Sequence, residues 1–186
     1  GKNRLPDAVM AQLYRFTEGW AAGIVLMLEQ LRTTAPDRMS IDNFTREEIF
    51  HYFAGEIFEK ADRETQQFLL TSACLPTMTV PVVQELTGNE SSHTILAELS
   101  RNHFFTDRRL STDAVYQYHP LFREFLLFRA DRVLSAEIRI ELRKKAALLL
   151  EKSGQAEQAA DLLCVAGAWD ELARLVNTWA QALISQ

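Results

Sequence analysis

The chain has 186 residues, 47% of them hydrophobic and 24% charged, which is enough to bury a core and to form one or two domains. Its net charge of −5 excludes a dominant surface for nucleic acid or anionic membrane, since phosphate binding needs clustered Lys and Arg. No apolar run reaches the roughly 18 residues of a membrane span, and the opening GKNRLPDAV lacks the apolar stretch of a signal peptide.

In chain order, Leu5-Pro6-Asp7 offers a helix start, and Val9, Leu13 and Phe16 then share one face until Gly19 interrupts the pattern. A second apolar helix runs from about Trp20 to Arg32 and stops before Pro36. The segment TAPDRMSIDNF is polar and turn-rich and reads as a linker. Thr45 and Glu48 then form a capping box for a helix through Ile49, Phe53 and Ile57.

A new unit opens at Asp62. The helix Asp62 to Cys74 carries Phe68, Leu69 and Ala73 on one face and is closed by Pro76; Val80 to Leu86 is a short helix ended by Thr87-Gly88-Asn89. Ser91 or Ser92 caps a third helix with Ile95, Leu96 and Leu99 inward. It gives way at Asn102 to a strand over HFFTDRRL, a turn at Ser111-Thr112-Asp113 and a returning strand Val115 to Tyr118. Three helices followed by a β-hairpin describe a winged helix. The next helix begins at His119-Pro120 and packs back on that unit.

The C-terminal part is a helix from Ser135 to Lys152 with Ile138, Leu142, Ala146 and Leu149 in one stripe, then two related segments, GQAEQAADLL and GAWDELARLV. Both read G-x-x-acid-x-x-A-x-L-aliphatic or close to it, the signature of stacked helical hairpins of the tetratricopeptide-like kind. Such a stack leaves its last face open, so Leu175, Trp179 and Leu183 are expected to be partly uncovered and available for self-association. The fold class is therefore mainly α, in four parts: a helical lid segment over 1–35, a linker and connecting helix over 36–61, a winged helix over 62–132, and a helical arm over 133–186. The chain opens on Gly1 and reads as a piece of a longer protein.

The chemistry-bearing motifs are few. The sequence has no G-x-x-x-x-G-K-[ST], H-E-x-x-H, G-x-S-x-G or C-x-x-C, and His51, His93, His103 and His119 have no metal-ligand spacing. No catalysis and no metal site are expected. Cys74 and Cys164 sit beside apolar residues and read as reduced core thiols in a cytoplasmic setting. The third helix of the winged unit carries Arg101 offset by Glu98, and the wing carries Arg108 and Arg109, too little charge to drive duplex binding. No direct DNA binding and no membrane contact are expected.

Taken together, TEGWAAGIVL (Thr17 to Leu26), the pattern at Phe68 to Ala73, ELSRNHFF (Glu98 to Phe105), YHPLFREFL (Tyr118 to Leu126) and GQAEQAADLLCVAGAWDELARL resemble MalT/LuxR-type ATP-dependent transcriptional regulators, signal-transduction ATPases of the STAND class. The order and spacing match along nearly the whole chain, from lid to arm. The resemblance implies a bacterial parent protein with a P-loop ATPase domain before this region and a repeat sensor after it. Both would be partners in the same chain, with ATP or ADP and magnesium bound in the parent. This chain would then be a regulatory relay. The other reading is a free-standing helical module for protein interaction.

The resemblance also implies site residues. A histidine at the position of His119 reaches the phosphate side of bound ADP in such proteins and holds the closed state; the residues alone favour instead that His119 caps its helix or packs beside Tyr118 and Phe122. Gly19, Trp20 and Ala21 stand where family lids often have Gly-Trp-Pro against the adenine. Ala21 departs from that pattern, while Gly19 permits a tight turn and Trp20 supplies an apolar anchor.

Overall fold

The computed structural model describes residues 54–110 and 114–184. The lid segment with Gly19, Trp20 and Ala21, the Thr45–Glu48 capping box and the turn at Ser111-Thr112-Asp113 lie outside the described residues.

Helix α1 is described over 54–60 and buries Ala54 and Phe58. Helix α2 (Arg63–Ser72) is started by Asp62, whose carboxylate accepts from Thr65 N at 2.7 Å. That bond holds the Asp62 carboxyl below the usual carboxylate range and satisfies one donor of the first turn. Phe68, Leu69, Leu70 and Ser72 are buried. The helix ends two residues before Cys74, because the backbone already turns at Leu75, whose N–H donates to Ser72 O at 3.0 Å.

Strand β1 (Met78–Thr79) leads straight into α3 (Val80–Thr87), which starts with Pro81 in its first turn and ends at Gly88 with φ 69°. A left-handed terminus of this kind suits glycine, as the sequence indicated. Helix α4 (Ser92–Arg101) buries Ile95, Leu96 and Leu99. Neither serine caps it through its side chain. Asn89 Oδ1 accepts from Ser91 N at 2.7 Å, and the buried Ser92 hydroxyl turns inward to Asn89 O at 2.5 Å. The turn before the helix is thus built by Asn89, while Ser91 holds the N-cap position, its carbonyl accepting from Ile95 N at 3.0 Å.

Strands β2 (Thr106–Leu110) and β3 (Ala114–Tyr118) form the wing, antiparallel in the register Thr106↔Tyr118 to Leu110↔Ala114. β1 adds to the far side of β3 with Met78 opposite Tyr116, so the sheet order is β1-β3-β2. The expected strand over HFFTDRRL begins only at Thr106, because His103 and Phe105 adopt φ values of 55° and 48°, which no strand accommodates. The unit is a winged helix with a small third strand.

Helix α5 (Pro120–Val133) buries Phe122, Phe125, Leu126 and Ala130. Phe58 meets Phe125 edge-on, with centroids 6.2 Å apart, which seats α1 on the unit. Helices α6 (Ala136–Lys152), α7 (Ala156–Ala166) and α8 (Trp169–Ile184) follow as antiparallel hairpins, with left-handed Gly154 and Gly167 at the turns. α6 packs chiefly on α7 and also on α3. Lys145 Nζ donates to Leu86 O at 3.0 Å, and Thr77 Oγ1 lies 3.2 Å from Gln155 Oε1 and 3.3 Å from Gln158 Oε1. One continuous core runs from Ala54 through the winged helix to Leu175.

Two expectations for this part are corrected. Ile138 is 50% exposed, since the covered face of α6 is formed by Ala146, Ala147, Leu149 and Leu150. Leu175 is 2% exposed and belongs to the core, whereas Trp169, Val176 and Trp179 are exposed at 64%, 55% and 39%. Arg174 pairs with Glu151 through two contacts of 3.0 and 2.7 Å, and Lys144 with Glu171 at 2.8 Å; these pairs link α8 to α6 at the surface, and Leu175, next to Arg174, is buried in the core. Among the described residues no helix is long and apolar enough to cross a membrane.

Candidate functional site at the strand-to-helix corner

Strand β3 alternates, and its inward residues are Tyr116 and Tyr118, both nearly fully buried. The Tyr118 hydroxyl lies 2.8 Å from Ser72 Oγ in the last turn of α2, and its ring meets Phe122 edge-on at 5.7 Å. Burial pushes the Tyr118 phenol well above the usual tyrosine range. The next residue, His119, must leave the strand, since Pro120 cannot extend a ladder and is suited to the first helical position.

His119 is half-buried, with φ −55° and ψ 138°. Its N–H donates to Phe105 O at 2.7 Å, and its carbonyl accepts from Arg123 N at 3.0 Å, the first bond of α5. Its side chain makes no capping bond, so the capping alternative falls away; nor is the ring turned wholly outward, because Nδ1 is buried. The imidazole therefore sits at the positive end of a helix, held by bonds on both sides of its own backbone.

One turn on, Arg123 shares the face of His119 at i+4 spacing. Its Nε donates to Ala73 O at 2.9 Å and its Nη2 to Cys74 O at 3.0 Å, so one guanidinium closes the C-terminus of α2. Sequence reasoning passed over this residue. A basic side chain in the first turn of a helix opposes the local dipole, and that mismatch was the available signal that Arg123 serves another element.

The Phe105 side of the corner is unusual. Phe105 is 3% exposed, yet its backbone is left-handed, as is that of exposed His103 two residues before. Each costs about 1–2 kcal/mol relative to the right-handed form. The Phe105 ring offsets this by packing 5.1 Å from Phe122, whose ring stacks on Phe125 at 6.3 Å. Burying a phenylalanine is worth roughly 1.5–3 kcal/mol, which offsets the cost at Phe105 itself.

The remaining candidates are elsewhere. Burial pushes the Cys74 thiol up to about 11, which leaves it inert, whereas Cys164 is exposed on α7, contrary to the expectation of two core thiols. Gly167 ends α7 only three residues later, and the face carrying Cys164 and Val165 turns to solvent. Arg101 lies 3.9 Å from Glu98 on the exposed side of α4, and Arg108 lies over the Tyr116 ring at 5.9 Å. Among the described residues no cluster of His, Cys, Asp and Glu is placed to hold a metal ion.

With this geometry in place, the comparisons with known proteins are specific. Residues 54–138 match the MalT winged helix domain. The chain is 31% identical over 140 residues, 73% of its length, to the HTH-type transcriptional regulator MalT of Cronobacter sakazakii, and it spans 15% of that protein. The chain is MalT-like, and its residues 54–138 are a winged helix domain of the MalT family.

Proposed function

We propose that the chain is the relay region of a nucleotide-controlled transcriptional regulator, carrying sensor state to activation without catalysis of its own. The observation that supports this reading most is the core that runs without interruption from the winged helix into the helical hairpins. A displacement of α7 or α8 would be passed to α3 through the α6 contact and the Lys145 bond, because packed elements move as bodies rather than deform.

In this reading His119 is the switch contact. A half-buried imidazole at a helix N-terminus suits a diphosphate, since the dipole favours the anion and a ring N–H can donate to it. ADP in the parent protein supplies the phosphate that distinguishes the closed state, and His119 would bind it there and not in the open state. Gly19, Trp20 and Ala21 would face the adenine. ATP, magnesium and the P-loop belong to the parent's ATPase domain, a partner of this region in the same chain together with the repeat sensor.

The test is made in the full-length protein. His119→Ala should raise inducer-independent transcription and speed ADP release; unaltered values of both would refute the role.

A second reading, a module for protein interaction or self-association, is favoured by the exposed Trp169, Val176 and Trp179 on α8. Sedimentation of the chain at rising concentration separates the two, since self-association through α8 would be lost in Trp179→Ser.

A further inference from the structure

The turn between α4 and β2 does more than reverse the chain. His103 N donates to Ser100 O at 3.1 Å, Phe104 N to Leu99 O at 2.8 Å, and Phe105 N to His103 O at 2.9 Å, so successive backbone groups are tied down over three residues. The turn's last carbonyl, Phe105 O, then accepts from His119 N at 2.7 Å. Two non-glycine residues in the left-handed region within one turn are held there only because surrounding structure determines them. The buried ring of Phe105 against Phe122 provides that on the inner side.

We propose that the His103–Phe105 turn is the positioning device of His119, with Phe105 as the positioning residue: its left-handed backbone aims its carbonyl at the His119 N–H, and its ring fixes the first turn of α5. The argument has three links. Thr106 pairs with Tyr118, so β2 and β3 are in register up to the corner, and the Phe105–His119 bond is the next contact beyond that pair. Phe122 lies three residues after His119 on α5 and takes the Phe105 ring, so one residue grips both the start of the helix and its first full turn. A right-handed Phe105 would swing its carbonyl away and lose the ring contact together with the His119 bond. The turn thus sets where the imidazole stands, and the exposed His103 sets how firmly the turn is held.

The consequence for nucleotide rests on the reading under Proposed function, and the test keeps the two apart. His103 is exposed, so it can be changed without opening the core. His103→Val makes the left-handed conformation costlier, since β-branched residues fit it poorly, and His103→Gly makes it cheaper. In the isolated chain, amide hydrogen exchange should show the His119 N–H exchanging roughly tenfold faster with Val and slower with Gly, with Leu150 in α6 unchanged. An unchanged His119 amide in both variants, or one that moves only in step with Leu150, overturns the proposal. In the full-length protein ADP release should follow the same order, fastest for Val and slowest for Gly. If the His119 amide follows the turn while ADP release stays constant, the turn positions His119 as proposed and the nucleotide role fails instead.

Discussion

The Tyr118 hydroxyl stands 2.8 Å from Ser72 Oγ inside the core, joining the end of the wing, one residue before His119, to the last turn of α2. Ser72 also bonds Phe68 O at 2.7 Å, so removing the tyrosine hydroxyl leaves the serine partnered. Tyr118→Phe should therefore cost only about 1 kcal/mol in urea unfolding, with the midpoint lowered and the slope unchanged. Ser72→Val, which leaves the buried Tyr118 hydroxyl without Ser72 and adds methyl groups in a filled core, should cost roughly 2–4 kcal/mol.

Alkaline pH should weaken the fold through Cys74 and Tyr118. Burial raises the Cys74 thiol from 9.0 to about 11, so the unfolded chain releases this proton first and stability falls as pH rises through that window. The loss is on the order of 2 kcal/mol, and the Tyr118 phenol, raised by the same cause, adds to it above its ordinary value of 10.0. Cys74→Ser should flatten the slope of unfolding free energy between about pH 9 and pH 11. An identical slope in that variant would contradict the assignment.

Arg123 is predicted to matter through α2 rather than through charge. Arg123→Met should destabilise by roughly 2–3 kcal/mol, because the Ala73 and Cys74 carbonyls lose their donors. Arg123→Lys should recover less than half of this, since one ammonium cannot reproduce a two-point fork. Equal stability of the Lys variant and the wild type in thermal unfolding would show that the charge alone suffices.

The isolated chain should bind neither ATP nor ADP with micromolar affinity, as its sequence lacks the P-loop whose backbone cradles phosphates. Calorimetry with both nucleotides checks this. Mobility shifts at physiological salt should likewise show no specific DNA complex, because Arg101 faces Glu98 and Arg108 rests on Tyr116. A salt-sensitive complex abolished by Arg108→Ala would reverse that expectation.

Much of the fold was legible where local signals agreed with the tertiary structure. Gly88 and Gly167 end their helices in the left-handed form, the winged unit opens at Asp62, and the apolar spacing of Ile95, Leu96 and Leu99 gives the buried face of α4. β1 was missed because two residues carry no alternation; Met78 and Thr79 become a strand only by meeting Tyr116 and Val115. The turn at 103–105 was read as strand because Phe favours strands, and only packing against Phe122 makes the left-handed form hold. Of the candidate site, His119 and its Pro120 stood out as a corner, but Arg123 and Phe105, which build that corner, act across about 50 and 14 positions of sequence and left no periodic trace.

The relay account is tested most directly by measuring, on His119→Ala, the ADP release rate of the full-length protein and the melting temperature of the isolated chain. Losing one charge-assisted hydrogen bond is worth roughly 1.5–3 kcal/mol, so release should quicken by about one to two powers of ten while the melting temperature stays within a few degrees. A lowered melting temperature with an unchanged release rate would make His119 a packing residue of the corner and contradict the switch.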